Sequence, residues 1–193
     1  MAELDELGQQ LREHALLEGD FVLRSGRRSN YYLDKYRFET RPELLGPLGE
    51  RLAAAVRESE PEADRLAGPA LGAVALAAAA SLSSGLPFLI VRPEAKEYGT
   101  SNRVEGQFER GQLVCLVEDV VTSGGALAGS VGALREVGLE VRHAVCVIDR
   151  EEGGADALAR LGVRLHTLYT AGELLRAGKL PETRMVEPVR RGC

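Results

Sequence analysis

Two adjacent carboxylates and a glycine-rich turn follow one strongly apolar segment of the chain. Residues 113–117 read LVCLV, and Glu118 and Asp119 come directly after them. Five apolar residues in a row are typical of a central strand with both faces covered. We therefore expect a buried strand that ends in two carboxylates and delivers them to the edge of a sheet.

The turn that follows, Thr-Ser-Gly-Gly at 122–125, has the composition of an anion-binding site. Its backbone N–H groups and the dipole of the next helix favour an anion, and its glycines let a phosphate approach the main chain. The two carboxylates would repel that phosphate, but they suit sugar hydroxyls or a magnesium ion carried by the ligand. These parts predict a sugar-phosphate pocket. The alternative is an acidic turn in which Thr122 or Ser123 caps the helix.

Composition limits the classes of function. The chain has 193 residues, 24 Lys+Arg against 29 Asp+Glu, and a formal net charge of −5. The length fits one ordinary domain, and the acidic surplus argues against a general nucleic-acid or anionic-membrane binder. The apolar run at 73–80 is far shorter than the roughly 20 residues that span a bilayer, and residues 1–14 lack the features of a signal peptide. We expect a cytoplasmic protein.

The three cysteines and three histidines predict no protein-held metal and no disulfide framework. The cysteines are odd in number and form no CxxC pair, and Cys115 and Cys146 lie in apolar runs typical of a core. The histidines, His14, His143 and His166, are scattered along the chain without ligand spacing.

Helical patterns alternate with short apolar runs along the rest of the chain. Helices are expected over 4–15 and 42–61, in an Ala-rich segment that ends at residue 85, around 127–134, and over 155–161 and 171–177. Strands are expected around residue 66 and over 88–91, 113–117, 141–148 and 163–168. Such alternation predicts an α/β fold with a mainly parallel sheet flanked by helices, whose ligand sits where strands end and helices begin. Residues 21–34 break the rhythm, and we predict two short strands around a Ser-Gly turn that form an antiparallel flap.

Five stretches together resemble the orotate phosphoribosyltransferases. The segment LVCLVEDVVTSGGAL is similar to the phosphoribosyl-pyrophosphate signature of type I phosphoribosyltransferases. FVLRSGRRSNYYLD at 21–34 resembles the orotate enzymes' N-terminal flap, and VRPEAKEYGTSNRVEG at 91–106 resembles their mobile loop. Asp149-Arg150 resembles their substrate-carboxylate site, and GPALGAVALA at 68–77 their pyrophosphate-side loop. The resemblance runs from about residue 18 to residue 175.

This resemblance implies the type I phosphoribosyltransferase fold as a single structural domain. Residues 1–40 would form an N-terminal helix and hood, residues 41–180 the α/β core with a mobile loop at 92–107, and residues 181–193 a tail. The implied reaction transfers ribose 5-phosphate from phosphoribosyl pyrophosphate to orotate, giving orotidine 5′-monophosphate in the synthesis of UMP. The resemblance also implies magnesium that arrives with the substrate near Asp119, a homodimer, and neither nucleic-acid nor membrane partners.

Site residues follow from the same resemblance. Catalysis is assigned to Lys96, Glu118 and Asp119. Binding of phosphoribosyl pyrophosphate is assigned to Arg92, Lys96, Tyr98, Glu118, Asp119, Val120, Val121, Thr122, Ser123, Gly124, Gly125 and Ala126. Orotate binding is assigned to Arg24, Tyr31, Tyr32, Thr122 and Arg150, and the pyrophosphate-side loop to Ala70, Leu71 and Gly72.

The chemistry of the implied reaction needs cations more than bases. Pyrophosphate leaves with most of the negative charge, and orotate is already an anionic nucleophile. Arg92 and Lys96 would supply cations from the loop. Pro93 and Tyr98 depart from the basic residue and the histidine that many relatives have there, and Leu71-Gly72 stand where some relatives place a lysine. These departures bear on catalytic efficiency more than on reaction type.

Several alternatives stay open at this point. Arg150 could be a surface arginine paired with Glu151 or Glu152, the tyrosines at 31 and 32 could be flap core, and the loop at 91–106 could be a solvated excursion. The chain could also act on a purine base, although Arg150 and the flap motif disfavour this. A third possibility is a regulator that senses phosphoribosyl pyrophosphate without catalysis.

Overall fold

The computed structural model describes residues 4–22, 26, 28–94 and 103–176. Its helices are α1 (Glu6–Ala15), α2 (Tyr36–Glu39), α3 (Pro42–Ser59), α4 (Ala73–Ser84), α5 (Gly125–Glu136), α6 (Gly154–Ala159) and α7 (Ala171–Arg176). Its strands are β1 (Leu16–Val22), β2 (Arg28–Leu33), β3 (Arg65–Pro69), β4 (Phe88–Val91), β5 (Val104–Glu105), β6 (Leu113–Val121), β7 (Glu140–Asp149) and β8 (Arg164–Thr170).

The central sheet confirms the predicted α/β class. Its strand order is β5-β4-β3-β6-β7-β8, and every neighbouring pair is parallel except β4 and β5. Strand β6 lies in the middle, and all but one of its residues are buried, as its apolar run predicts. The carboxyl ends of β3, β6 and β7 therefore meet at one edge of the sheet.

Helices cover both faces of this sheet. One core cluster joins the sheet to helices α1, α3, α4 and α7 through residues such as Leu11, Leu48 and Leu76. The second cluster joins the other face to α5 and α6, with Leu127 and Leu158 among its members. Cys115 and Cys146 are fully buried, one in each cluster, and burial raises the pKa of each thiol to about 12. Their predicted core role is confirmed.

The flap begins earlier in the chain than predicted. Strands β1 and β2 pair antiparallel as expected, but β1 starts at Leu16, directly after α1 ends at Ala15. No glycine or proline separates the helix from the strand, and the buried Leu16 and Leu17 continue the apolar pattern of α1. The local sequence therefore carried no sign of the boundary. The one-turn helix α2 also went unpredicted, because four residues are too few to show a helical period.

Two other boundaries differ from expectation. Strand β6 runs on to Val121, which pairs with Asp149 of β7, so the two carboxylates lie inside the strand and not at its end. Pairing with β7 supplies the hydrogen bonds that extend it. Within the predicted loop at 92–107, residues 104 and 105 form strand β5 and pair antiparallel with β4. That part of the loop is an edge strand and not a solvated excursion.

The first and last described helices pack together. The buried side chain of Arg12 in α1 donates a hydrogen bond from Nε to the carbonyl of Leu174 in α7, at 2.6 Å. The hydroxyl of Tyr169 donates to Oδ1 of Asp5, the residue that caps α1, at 2.8 Å. Among the described residues, no helix is both long enough and apolar enough to cross a membrane.

Candidate active site

Asp119 forms the centre of the candidate site, at the carboxyl edge of the sheet. Its side chain is almost fully buried, and Oδ2 accepts a hydrogen bond from Lys35 Nζ at 2.6 Å. Lys35 lies between the β1–β2 hairpin and α2, and it did not appear among the predicted site residues. The chain has only three lysines, Lys35, Lys96 and Lys179, so lysine is rare enough to have drawn attention.

Two further carboxyl groups crowd against Asp119. Burial and the charge of Asp119 raise the pKa of Glu118 to about 8. Burial raises the pKa of Glu39, in α2, to about 8 as well, and the charge and hydrogen bond of Asp119 contribute to the shift. Burial lowers the pKa of Lys35, but the hydrogen bond and charge of Asp119 raise it by more. The cluster thus contains two carboxyl groups with raised pKa values beside the Lys35–Asp119 pair.

The pyrophosphate-side loop lies directly against this ion pair. A Cβ atom on Gly72 would overlap with Oδ2 of Asp119 and Nζ of Lys35, so the main chain passes as close as a residue without a side chain allows. The loop leads into α4 at Ala73, whose N-cap residue, Gly72, makes no side-chain capping hydrogen bond. Gly72 is thereby brought next to Asp119.

The glycine-rich turn opens helix α5 without a side-chain cap. Gly124 is the N-cap residue with a φ of 78°, and no side chain caps the helix. Thr122 and Ser123 are exposed, so the alternative in which one of them caps the helix is wrong. A Cβ on Gly124 would lie 3.0 Å from the carbonyl oxygen of Gly154 in α6, so both the backbone conformation and the space require glycine.

Arg150 extends over the same edge from the end of β7. Its backbone N–H donates to the carbonyl of Val121 at 2.9 Å, which places it beside the turn. The guanidinium lies 5.3 Å from the ring centroid of Tyr31 and pairs with Glu152 at 2.9 Å, and its side chain is only 11% exposed. Arg150 therefore pairs with Glu152, as one alternative proposed, but it is largely buried and stacks on the flap.

Comparison with known proteins gives one consistent result. The family described as "Phosphoribosyl transferase domain" matches residues 44–160. The curated "Orotate phosphoribosyltransferase" of Methanocella arvoryzae is 45% identical over 171 residues, covering 88% of this chain and 96% of that protein. The chain belongs to the orotate phosphoribosyltransferase family. Neither the purine-base alternative nor the regulator is favoured by these matches.

Solved structures of the family agree with the fold. The crystal structure of orotate phosphoribosyltransferase from Aeropyrum pernix superimposes with a TM-score of 0.76 at 34% identity, covering 88% of this chain and 96% of that one. The Mycobacterium tuberculosis H37Rv enzyme "in complex with 5-phospho-alpha-D-ribosyl 1-diphosphate (PRPP)" gives a TM-score of 0.73 at 29% identity, with the same coverage of both chains. The type I phosphoribosyltransferase fold is thus confirmed.

Other predicted site residues of this family member are placed only in part. Tyr31 packs against the core cluster and Arg150, whereas Tyr32 lies 5.7 Å from the ring of Phe21 and is 43% exposed. The two tyrosines therefore play different parts, and Tyr31 is the one that contacts a predicted site residue. Arg24, Lys96, Tyr98 and the tail at 181–193 lie outside the described residues.

Arg92 begins the described part of the loop, at the end of β4. Its backbone N–H donates to the carbonyl of Arg103 at 2.7 Å, and Nε of Arg103 donates back to the carbonyl of Arg92 at 3.3 Å. These bonds join the two ends of the loop to each other. Nε of Arg92 is buried and has no hydrogen-bond partner among the described residues.

The oxygen-rich donor set at the carboxyl edge suits a magnesium ion that arrives with a diphosphate. Asp119, the charged carboxylate, is the appropriate hard oxygen ligand. Within the ranges that the structure describes, no three His, Cys, Asp or Glu side chains are grouped so that they could hold a metal by themselves.

The opposite, amino edge of the sheet holds a second cluster of titratable side chains. Nδ1 of His143 lies 2.8 Å from Oε2 of the buried Glu60, and the ring of His143 lies 5.3 Å from that of His166. These two histidines are far apart in the sequence, but β7 and β8 place them on neighbouring strands. An open cavity of about 770 Å³ lies beside this cluster, with Arg142, His143 and Arg164 in its wall.

Proposed function

We propose that the chain transfers ribose 5-phosphate from phosphoribosyl pyrophosphate to N1 of orotate. The bond from C1 of the ribose to the diphosphate oxygen breaks, the new bond forms between that carbon and N1, and diphosphate leaves with the electron pair. The observation that carries this proposal is the meeting of Asp119, the uncapped glycine turn at 124–125 and the Gly72 loop at one edge of the sheet. Three such parts suit the ribose, the 5-phosphate and the diphosphate of one ligand.

Each part performs one task in this reaction. The uncapped N-terminus of α5 presents backbone N–H groups to the 5-phosphate. Asp119 accepts hydrogen bonds from ribose hydroxyls and would hold the magnesium ion, whose charge would partly neutralise the diphosphate. Arg92 and Lys96 add positive charge where negative charge develops. Glu118, Val120, Val121, Ser123 and Ala126 complete the wall of the ribose phosphate site.

Arg150 is assigned to the carboxylate of orotate. A planar guanidinium holds a carboxylate with two parallel hydrogen bonds, and the stack on Tyr31 limits the rotation of that plane. Nε of Arg150 is buried and has no hydrogen-bond partner among the described residues. Nη2 of the same guanidinium pairs with the carboxylate of Glu152. The substrate carboxylate would replace or join the carboxylate of Glu152. Thr122 and the flap with Arg24 and Tyr32 would enclose the pyrimidine.

The test is a panel of bases offered to the purified chain with phosphoribosyl pyrophosphate and magnesium. We expect consumption of orotate, and none of uracil, adenine, hypoxanthine or xanthine. Omission of magnesium should reduce the rate by at least tenfold, because the leaving diphosphate then loses its divalent counter-ion. Consumption of a purine base in place of orotate would contradict the specificity, and tight binding of phosphoribosyl pyrophosphate without any reaction would support a regulator.

We further propose that the chain works in the cytoplasm as a homodimer in which the loop carrying Lys96 closes over the partner's site. Family membership supports this arrangement, and the composition permits it. Mixing K96A with D119N tests it, because a mixed dimer would rebuild one intact site from one chain's loop and the other chain's pocket. Random pairing of equal amounts should restore roughly a quarter of the wild-type activity per site. Absence of recovery after confirmed subunit exchange would mean that the loop serves its own chain.

A further inference from the structure

Lys35 presents an ammonium group at the mouth of the candidate site. The side chain of Lys35 is 33% exposed, whereas that of its partner Asp119 is 4% exposed. A ligand that approaches this pair from solvent therefore contacts the ammonium group of Lys35 before the carboxylate of Asp119. Because Lys35 precedes α2 and Asp119 lies in β6, the ion pair joins the N-terminal segment to the centre of the sheet.

The ammonium lies beside a loop that has no charge of its own. Ala70, Leu71 and Gly72 carry no charged side chain, yet Gly72 approaches Nζ of Lys35 so closely that a Cβ atom would overlap with it. A diphosphate that rests on this loop needs a nearby cation, because its departure concentrates negative charge there. Lys35 provides a cation directly beside this loop from within the same chain, in addition to Arg92.

The hydrogen-bonding capacity of Lys35 fits a shared role. An ammonium has three N–H donors, and Asp119 is the carboxylate that accepts one of them. Two donors stay available to ligand oxygens while the first holds Nζ in place. Lysine suits this task because its charge is compact and its stem is flexible, so Nζ can turn towards a ligand without losing Asp119.

We propose that Lys35 is a catalytic residue whose ammonium, positioned by Asp119 against Gly72, donates hydrogen bonds to the diphosphate of phosphoribosyl pyrophosphate. The inference rests on the proposed function, since it assigns a further residue to the same reaction. Lys35 then acts on the leaving group from within the chain, while Asp119 holds the ribose.

The test measures binding of inorganic diphosphate to the full chain by titration calorimetry, with and without magnesium, for wild type, K35M and R37M. The methionine variant keeps the length and apolar stem of Lys35. R37M is the matched control, because Arg37 lies two residues away, is half-exposed, pairs with Asp34 at 3.3 Å and loses the same unit of charge. We expect K35M to weaken diphosphate binding about ten- to hundredfold and R37M by less than twofold.

Steady-state kinetics and chemical rescue separate contact from support. K35M should lower kcat/KM for phosphoribosyl pyrophosphate by a similar factor and change the KM for orotate by less than threefold. In a C193S background, K35C treated with bromoethylamine regains an ammonium on a side chain of lysine length, and binding should return to within about threefold of wild type. The two other cysteines are fully buried. Recovery would exclude a fold defect as the cause of the loss.

The outcomes distinguish the inference from the function on which it rests. If wild type binds diphosphate and K35M binds it as R37M does, Lys35 does not contact the leaving group. If rescue restores nothing, or both substrates lose affinity equally, Lys35 supports the fold and the inference is wrong. Failure of wild type to bind diphosphate at all would overturn the proposed function together with this inference.

Discussion

The two edges of the sheet each bury acidic side chains beside a basic residue, but in different proportions. At the amino edge Glu60 faces the single partner His143. At the carboxyl edge Glu39, Glu118 and Asp119 surround the one ammonium of Lys35. A one-to-one pair can be justified by stability alone, since each group satisfies the other. Three carboxyl groups around one lysine cannot, because two of them must give up their charge.

This difference indicates that the carboxyl edge is the region in which stability is reduced for the sake of function. Crowded carboxyl groups with strongly shifted pKa values are typical of sites that must act on a ligand. The large open cavity lies at the amino edge, away from the crowded carboxyl groups. The excess of acid therefore locates the candidate site at the carboxyl edge.

Removal of the central carboxylate should give the largest effect. We expect D119N to lower kcat/KM for phosphoribosyl pyrophosphate by about a thousandfold, because it removes the one charged acceptor for the ribose and magnesium. Steady-state kinetics measures this loss, and circular dichroism checks that the variant is folded. A loss below tenfold would remove the central role that the comparison gives to the carboxyl edge.

Replacement of the orotate-side cation should give the next largest effect. We expect R150A to raise the KM for orotate by at least thirtyfold, since loss of a buried charged contact is worth about 2 kcal/mol or more. The KM for phosphoribosyl pyrophosphate should change little. E152Q is the matched control, because it removes the present partner of Arg150 and should leave the KM for orotate equal or lower. Equal effects of R150A on both substrates would place Arg150 outside the base site.

The crowded carboxyl groups should also make stability depend on pH. The folded chain keeps protons on Glu39 and Glu118 up to about pH 8, whereas the unfolded chain releases them near the ordinary pKa of 4.5. The folded state therefore loses stability as the pH rises from about 4.5 to 8. Glutamine imitates the protonated acid, so E39Q should match wild type at pH 5 and raise the Tm by about 3–6 °C at pH 9. Equal melting curves at pH 9 would show that Glu39 does not resist ionisation.

The amino edge should respond in stability and not in activity. E60Q replaces the charged partner of His143, and we expect it to lower stability by about 1 kcal/mol, or a Tm shift of about 2–4 °C. Its kcat/KM values should stay within twofold of wild type. Calorimetry and the orotate assay measure the two quantities on one preparation. A tenfold loss of activity would mean that the two edges are not functionally separate.

The features that the sequence could predict depend on residues that are close together along the chain. The order of helices and strands follows from local apolar periods, and the turn at 122–125 adjoins the carboxylates in one segment. The positions of Asp119, Gly72 and Arg150 at one edge then follow from the rule that parallel strands end together. These parts of the site needed no knowledge of distant contacts.

Distant and very short features explain what the sequence could not predict. Lys35 and Asp119 are separated by 84 positions, so neither local sequence predicts that they form an ion pair. Glu39 lies in a helix of four residues, and strand β5 has only two residues. Both elements are too short to show a periodic pattern of apolar residues. The contact of His143 with Glu60 depends on where α3 ends relative to β7, which only the packed structure fixes.

The packing of α1 on α7 has a consequence for protein engineering. Because Arg12 bonds to Leu174 and Tyr169 bonds to Asp5, the two ends of the described chain lie on the same side of the molecule. A short linker could therefore join these two ends, and new N- and C-termini could be created at the exposed turn around Gly111. Such a circular permutant would carry fused partners next to the amino edge of β6 and leave the carboxyl edge, with the candidate site, unobstructed.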